Sequence, residues 1–303
     1  MANPKYDKIQ MFAQCHTGMT QEALAEACGT SRATVRRALA KTTISTGATK
    51  VFGYTDIHWG DRDERALAVA QHAQEVFQPD ITIIGGDLLN MAPFARHRIR
   101  TIDEARRKIE YDYPKDELYP ANKFLDFVQK NTAKQTVFLE GNHDAWLESW
   151  IVDTPGASAF RSLRPRLALG AGRENFTYVN YNREKEDRKC FYHLRDDIWA
   201  VHGWTVQKHA AWKTLEIARD VSVIYNHTHR PDQRWGRLSG GKLITSFSAG
   251  CLCRLDATYL TGGYKEWAHG FWVAYIGRVG WMPYIITIDQ GKAVLPDGTE
   301  VLA

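Results

Sequence analysis

The chain has 303 residues, 44% hydrophobic and 24% charged, an ordinary globular balance with room for one large domain and a small one. No apolar run approaches the ~18 residues of a membrane span, and the first residues lack the apolar core of a secretory signal, so a cytoplasmic protein is expected. The net charge of +4 is uneven: residues 1–45 carry six basic groups (Lys5, Lys8, Arg32, Arg36, Arg37, Lys41) against three acidic ones (Asp7, Glu22, Glu26). Cys15, Cys28, Cys190, Cys251 and Cys253 show neither metal-type nor scaffold spacing, which suits free thiols in a reducing compartment.

Residues 6–15 alternate with a helical period. Thr20 is placed to cap a helix over residues 21–28, closed by Gly29, and Ser31 to cap a second helix running to about residue 41. Ala25 falls where the two helices must approach closely, and Val35, Ala38 and Leu39 give the second an apolar face. The pattern resembles the helix-turn-helix of DNA-binding proteins. That resemblance implies a second helix in the major groove, presenting Ser31, Arg32, Thr34, Arg36 and Arg37; arginine suits phosphates and guanine edges alike. The competing reading is a small helical bundle for dimerisation or docking. Residues 42–49 are small and polar, a linker, so the expected domains are 1–45 and 46–303.

Residues 51–54 read as a strand ending near Asp56. Residues 61–77 read as a helix with Ala66, Leu67, Val69, Ala70, Ala73 and Val76 available for burial, ended by Pro79. A second strand, 81–84, runs into Gly85, Gly86 and Asp87, which completes a β-α-β unit. Residues 91–133 read as a helical insertion, basic at Arg96, His97, Arg98, Arg100, Arg106, Arg107 and Lys108, interrupted at Tyr111, Tyr113, Pro114 and Tyr119 before a helix at about 121–129. It is either a solvated excursion or a substrate-facing arm. The strand 135–140 leads to Gly141, Asn142, His143 and Asp144, and a helix with Trp146, Leu147, Trp150 and Ile151 follows. Strands are expected at 176–182, 189–194 and 197–202, the last ending at His202, then a helix at 208–218. A strand at 221–225 leads to Asn226, His227, Thr228 and His229, with further strands near 242–249, 271–277 and 281–288. The fold class is α/β: two sheets packed together with helices outside.

Five strand ends therefore carry ligand-type side chains: Asp56 with His58, then Asp87, Asn142, His202, and His227 with His229. A pair of divalent ions needs His, Asp and Asn ligands on rigid elements, with one carboxylate able to bridge. The glycines before Asp87 let the backbone come close to an ion. The ordered segments D-x-H, GD, GNHD, H and H-x-H resemble the calcineurin-like metallophosphoesterase superfamily over about residues 50–230. The resemblance implies a four-layer α/β/β/α sandwich with a dinuclear centre between the loop ends of the sheets. Matched motif by motif, Asp56, His58, Asp87 and His229 would hold one ion and Asp87, Asn142, His202 and His227 the other, with Asp87 bridging. His143 would bind no metal but protonate the leaving oxygen or stabilise the developing charge. Asp144 would orient that imidazole and hold it protonated. Two ions about 3.5–4 Å apart would activate a bridging hydroxide for in-line attack on phosphorus. Manganese is the expected ion; Fe, Zn, Ni and Mg suit the same ligands. Where the family pattern has glycine before the last two histidines, this chain has Asn226, a residue that tolerates left-handed backbone.

Trp59, Trp146, Trp150 and Trp204 lie near the motifs, as base-stacking platforms or as core and pocket wall. Tyr264, Trp267, Gly270 and Phe271 resemble a C-terminal signature of phage and prophage members, which implies a bacterial or host cytoplasm. Three functions compete. One is a phosphodiesterase or nuclease directed to DNA or another nucleic acid by its N-terminal helices. Another is a phosphatase or cyclic-nucleotide phosphodiesterase on small molecules, with those helices used for assembly into a homo-oligomer. The third, a non-catalytic DNA-binding regulator, is disfavoured by the complete ligand set.

Overall fold

The computed structural model describes residue 9 and residues 20–35, 47–95, 110–181, 190–256, 266–278 and 280–303. Most of the expected first helix, the second beyond Val35, the basic stretch 96–108, and Cys15, Arg36, Arg37 and Tyr264 lie outside the described residues. The chain divides into two compact units, Met1–Ala48 with Gly277–Gly280, and Thr49–Ile276 with Trp281–Ala303.

In the first unit, α1 (Gln21–Ala27) begins at Thr20, whose hydroxyl accepts the Ala23 N–H at 3.2 Å. Gly29 adopts φ 58° and the Thr30 N–H returns to the Ala25 carbonyl at 2.8 Å, which closes the helix. The Ser31 hydroxyl then accepts the Thr34 N–H at 3.2 Å, and residues 32–35 are again helical. Ile9, Leu24, Ala25 and Val35 bury one another, with Cys28 packed against them. Arg32 is exposed and pairs with Glu22 at 2.8 Å.

The second unit is built on two sheets. In the first, β1 (Thr49–Tyr54), β2 (Ile81–Ile84), β3 (Gln135–Leu139) and β4 (Phe176–Val179) run parallel. Antiparallel β10 (Gly270–Ile276) and β11 (Trp281–Thr287) extend it beyond β1. The second has the order β5 (Tyr192–Arg195), β6 (Ile198–Ala200), β7 (Ser222–Ile224), β9 (Leu243–Ala249), β8 (Pro231–Arg237), with β6, β7 and β9 parallel. The alternation of β1 sets the layers. Val51 faces the second sheet and packs in one cluster with Ile83, Val137, Ile224 and Phe247. Phe52 and Tyr54 face the other way, toward α2 (Glu64–Phe77) and α3 (Tyr119–Lys130), with Ala70, Phe77, Phe124 and Leu125. On the far side of the second sheet, α6 (Ala210–Ala218) packs Ala210, Ala211 and Ala218 against Trp199, Val223 and Tyr225. The layers are thus helix, sheet, sheet, helix. The chain between β3 and β4 forms α4 (Trp146–Asp153) and α5 (Pro165–Gly170), and a hairpin, β12 (Lys292–Val294) and β13 (Glu300–Leu302), closes the C-terminus. No helix among the described residues is long and apolar enough to cross a membrane.

Several boundaries differ from the sequence reading. Helix α2 starts at Glu64 because Asp63 caps it, accepting the Ala66 N–H at 2.8 Å, while Asp61 ends a separate short turn, Trp59–Asp61. The helix expected at about 121–129 is α3, two residues longer at its start, and its apolar stripe makes it the crossover helix between β2 and β3. Strand β8 carries no alternating apolar pattern, because it is a largely exposed edge strand whose one large apolar side chain, Trp235, is itself exposed.

Between the sheets, Gly53 on β1 pairs with Trp272 on β10, and a Cβ at Gly53 would collide with the indole. Trp272 is fully buried and has no room to retreat. Gly53→Ala is expected to lower the unfolding free energy by about 1–3 kcal/mol, the usual cost of overpacking, read as a lower urea midpoint at unchanged m-value.

Candidate metal centre

The candidate ligands follow the carboxyl ends of β1, β2, β3, β6 and β7, which are parallel neighbours within their sheets. This is the end at which α/β sheets place their sites. Convergence demands unusual backbone: Asp56 (φ 26°), His58 (49°), Asp87 (49°), His227 (74°) and His229 (57°) are all left-handed. Such residues cost about 1–3 kcal/mol each unless their surroundings hold them. Here the loops hold one another. The His58 N–H donates to the Asp87 carbonyl at 2.8 Å, the Asn226 N–H to the His202 carbonyl at 2.8 Å, and the His227 N–H to Asp56 Oδ1 at 3.1 Å.

Glycines make the approach possible. A Cβ at Gly86 would collide with His202, one at Gly141 with Asp87, and one at Gly85 with the Asn226 side chain. Asn226 itself is not left-handed; that role falls to His227 and His229. The asparagine is accommodated because Gly85 leaves space for it, and its buried Oδ1 has no hydrogen-bond partner.

All seven candidate ligands come together. His58 Nε2 lies 3.1 Å from His229 Nε2 and 3.8 Å from Asp87 Oδ2. His229 Nε2 is 3.5 Å from Asp56 Oδ1. On the other side, His202 Nε2 lies 3.3 Å from Asp87 Oδ2 and 3.2 Å from Asn142 Oδ1, and His227 joins Asp87 and His202 with ligand atoms within 4.8 Å. Donors at right angles on an ion with bonds of about 2.1 Å stand about 3.0 Å apart. The spacing and the oxygen-plus-imidazole donor set therefore fit divalent ions, with Asp87 common to both groups.

His143 stands beside this cluster. Its N–H donates to Asp87 Oδ1 at 2.9 Å and its Nδ1–H to the Asn90 carbonyl at 2.7 Å, while Trp146 stacks on its ring at 3.8 Å between centroids. The expected partnership with Asp144 is not formed. The Asp144 oxygens accept the Leu89 and Gly141 N–H groups, each at 2.9 Å, so this carboxylate ties the β2 and β3 loops together instead of orienting His143. Of the four tryptophans near the motifs, Trp59, Trp150 and Trp204 pack on Phe124, Phe94 and Phe191 respectively. Trp146 reaches His143, and Trp267 sets its edge against His229 at 4.1 Å. Sequence reasoning missed Asn90, which acts through its backbone and so carries no side-chain signal. It also missed Cys253, whose Sγ lies 3.6 Å from His229 Nδ1. Beside Asn142 opens a cavity of about 730 Å³, lined also by Ser149, Arg164, Arg166 and Tyr181.

Burial lowers the pKa of His58, and burial with the charge of His202 takes His227 down to about 4. Burial opposes charge on His202 and His229 as well, but the Asp87 carboxylate lifts His202 to about 9 and the Asp56 carboxylate pulls His229 upward. Burial and the Asp87 charge raise Asp144, against its two N–H bonds.

Residues 49–263 match the family described as calcineurin-like phosphoesterase, and the chain belongs to it. Members of this family bind divalent metals, and the donor groups just described are the candidates here. Among solved structures, Vps29 of Chaetomium thermophilum is similar at 11% identity and a TM-score of 0.45, covering 84% of this chain and 94% of that one. Vacuolar Protein Sorting 29 of Cryptosporidium parvum gives 11% and 0.39, over 84% and 99%. YfcE, a phosphoesterase from E. coli, gives 13% and 0.33, over 84% and 97%. Comparison with curated proteins finds no match.

Ligand histidines must be neutral to bind a metal. With His202 near 9, that ring carries a proton at neutral pH before metal binds. Metal uptake is therefore expected to release at least one proton per chain, and apparent affinity to rise with pH. Calorimetric titration in buffers of different protonation heats measures both.

Proposed function

We propose that the chain is a dinuclear metal-dependent phosphoesterase that hydrolyses phosphodiester bonds, with DNA or another nucleic acid as substrate. The observation that carries this reading is the convergence of seven donors from five strand ends, with Asp87 Oδ2 facing both His58 and His202. Asp56, His58, Asp87 and His229 would hold one ion; Asp87, Asn142, His202 and His227 would hold the other. Mn²⁺ is the expected metal, with Fe, Zn, Ni and Mg compatible. The ions supply Lewis acidity, lowering the pKa of water and neutralising charge on phosphoryl oxygens.

The remaining work belongs to the chain. Because Nδ1 of His143 gives its proton to the Asn90 carbonyl, Nε2 is the atom that exchanges a proton with the leaving oxygen. Trp146 fixes the plane of that ring. Arg166, on the cavity wall and bonded at 3.4 Å to Asn180 Oδ1, offers a guanidinium to a flanking phosphate. Nucleic acid as substrate is supported by the basic surplus of residues 1–45 and by the cap, glycine turn and second cap at residues 20–35. Arg32, Arg36 and Arg37 are the proposed contacts. The resemblance of Tyr264, Trp267, Gly270 and Phe271 to a signature of phage and prophage members suits a bacterial or host cytoplasm, and assembly as a homo-oligomer accords with paired recognition helices.

A second reading, hydrolysis of small phosphorylated molecules, draws on the cavity of about 730 Å³, a size suited to a small ligand. A Mn²⁺ hydrolysis panel separates the two: bis-p-nitrophenyl phosphate, p-nitrophenyl phosphate, cyclic nucleotides, and single- and double-stranded DNA. Cleavage of the diesters and DNA is expected; turnover of monoesters alone favours the second reading, and no turnover with metal bound sinks both. His143→Ala is expected to keep both ions and lose about 10²–10⁴-fold in turnover. Loss of metal instead would show that its role is structural. Gel shifts with the full chain are expected to weaken steeply between low and moderate salt, and Arg32→Ala to weaken them further. No shift even at low salt would leave the N-terminal unit without a targeting role.

A further inference from the structure

Beside Asp56 and His229 runs the segment Cys251, Leu252, Cys253. Its backbone is bonded into the loops of both residues. The Leu252 N–H donates to the Asp56 carbonyl at 3.1 Å; Cys251 donates to the Ala268 carbonyl at 3.0 Å, and the Ala268 N–H in turn donates to the His229 carbonyl at 3.2 Å. Cys253 is buried, 2% exposed, with its sulfur 3.6 Å from His229 Nδ1. The other ring nitrogen points the opposite way: His229 Nε2 lies 3.1 Å from His58 Nε2 and 3.5 Å from Asp56 Oδ1.

The tautomer follows from these positions. A nitrogen that binds an ion must offer its lone pair, so Nε2 of a metal-bound His229 carries no proton. The neutral ring then keeps its proton on Nδ1, and the atom placed to accept it is Cys253 Sγ. Were the thiol to donate to Nδ1 instead, the proton would sit on Nε2 and close the site. Metal-binding histidines usually give their second N–H to a carboxylate, a carbonyl or water; here sulfur stands in that place. Cys251 does not face the imidazole: its sulfur lies against the Cys253 thiol and 3.8 Å from each of the Cys253 and Ala268 carbonyls.

We infer that Cys253 is a positioning residue of the first metal position: its sulfur accepts the Nδ1–H of His229, setting the ring plane and the tautomer that leaves Nε2 open to an ion. The inference rests on the dinuclear reading above. Direct sulfur ligation is the geometric competitor, because His58, His229 and Cys253 offer three ligand atoms within 4.8 Å of one another. It would require His229 to present Nδ1 to the ion and abandon the approach of Nε2 to Asp56.

The test is metal titration of the full-length, metal-free protein, with Mn²⁺ for stoichiometry and affinity and Co²⁺ for the absorption spectrum. Wild type is expected to take up two ions and to show no thiolate-to-Co²⁺ charge-transfer band. Cys253→Ala is expected to bind one ion as before and the other about 10–100-fold more weakly, as for other supports of metal ligands. Cys253→Ser, whose hydroxyl can accept Nδ1–H, should recover most of that loss. Cys251→Ala, a cavity in the same wall, should keep both affinities. If the alanine variant does not fold, Cys253→Val fills the space without an acceptor and gives the same readout. Unchanged affinity at both positions in Cys253→Ala or Val overturns the inference, as does a charge-transfer band in the wild type. A wild type that takes up fewer than two ions overturns the dinuclear reading itself, and this inference with it.

Discussion

The carboxylate of Asp87 is the point at which the loops of both sheets meet. One oxygen accepts the His143 N–H at 2.9 Å, and the other faces His202 at 3.3 Å and His58 at 3.8 Å. Residues from the loops after β1, β2, β3 and β6 are thus brought within reach of one side chain. The constraint is steric before it is electrostatic, because a Cβ at Gly141 would overlap Asp87 and one at Gly86 would overlap His202. Much else serves to deliver these loops to the same place. The parallel order β1-β2-β3 puts three strand ends side by side, and the core of Val51, Ile83, Val137, Ile224 and Phe247 holds the second sheet, with the ends of β6 and β7, against the first.

That arrangement concentrates cost at one spot. Five of the seven candidate ligands have left-handed backbone, and Asp56, His58, Asp87, His202 and His229 are almost wholly removed from solvent. The Asp87 carboxylate raises His202 against its burial, so a proton on that ring offsets part of the buried negative charge. A divalent cation held by these donors would take over that role, which would link its binding to stability of the folded chain. The strand ends are held by a buried frame: Gln74 on α2 accepts the Tyr54 hydroxyl and donates to Thr82 and to the Val128 carbonyl, tying α2 to β1, β2 and α3.

Much of this was legible in the chain because it is encoded locally. Short apolar runs ending in Gly-Gly-Asp or Gly-Asn-His-Asp declare both a strand and the turn that follows it, and His202 with the pair His227 and His229 marks the second sheet. What escaped notice depends on atoms that sequence patterns do not name. Asp144 is adjacent to His143, and adjacency suggested a partnership, yet its turn aims the carboxylate at the Leu89 and Gly141 N–H groups. The true acceptor at His143 is a backbone carbonyl, that of Asn90, which any residue type could supply. Asn226 looked like a substitute for a left-handed glycine, but its compatibility lies in Gly85, distant in sequence. Cys253 meets His229 through a bridge segment outside the regular strands, with no periodicity to announce it.

The carbonyl partner changes how His143 can act. A carboxylate at Nδ1 would stabilise the imidazolium and keep the ring charged; a carbonyl fixes the tautomer but brings no full charge. Burial lowers the pKa of His143, against the pull of Asp87. Nearby metal ions would press the ring further toward neutrality. An anionic ligand beside the ring would supply the opposite field, and only while bound. On this geometry a neutral His143 would leave Nε2 free to accept, and such a ligand would favour the charged form. Trp146, stacked on the ring at 3.8 Å, holds its plane by packing that does not depend on which nitrogen carries a proton.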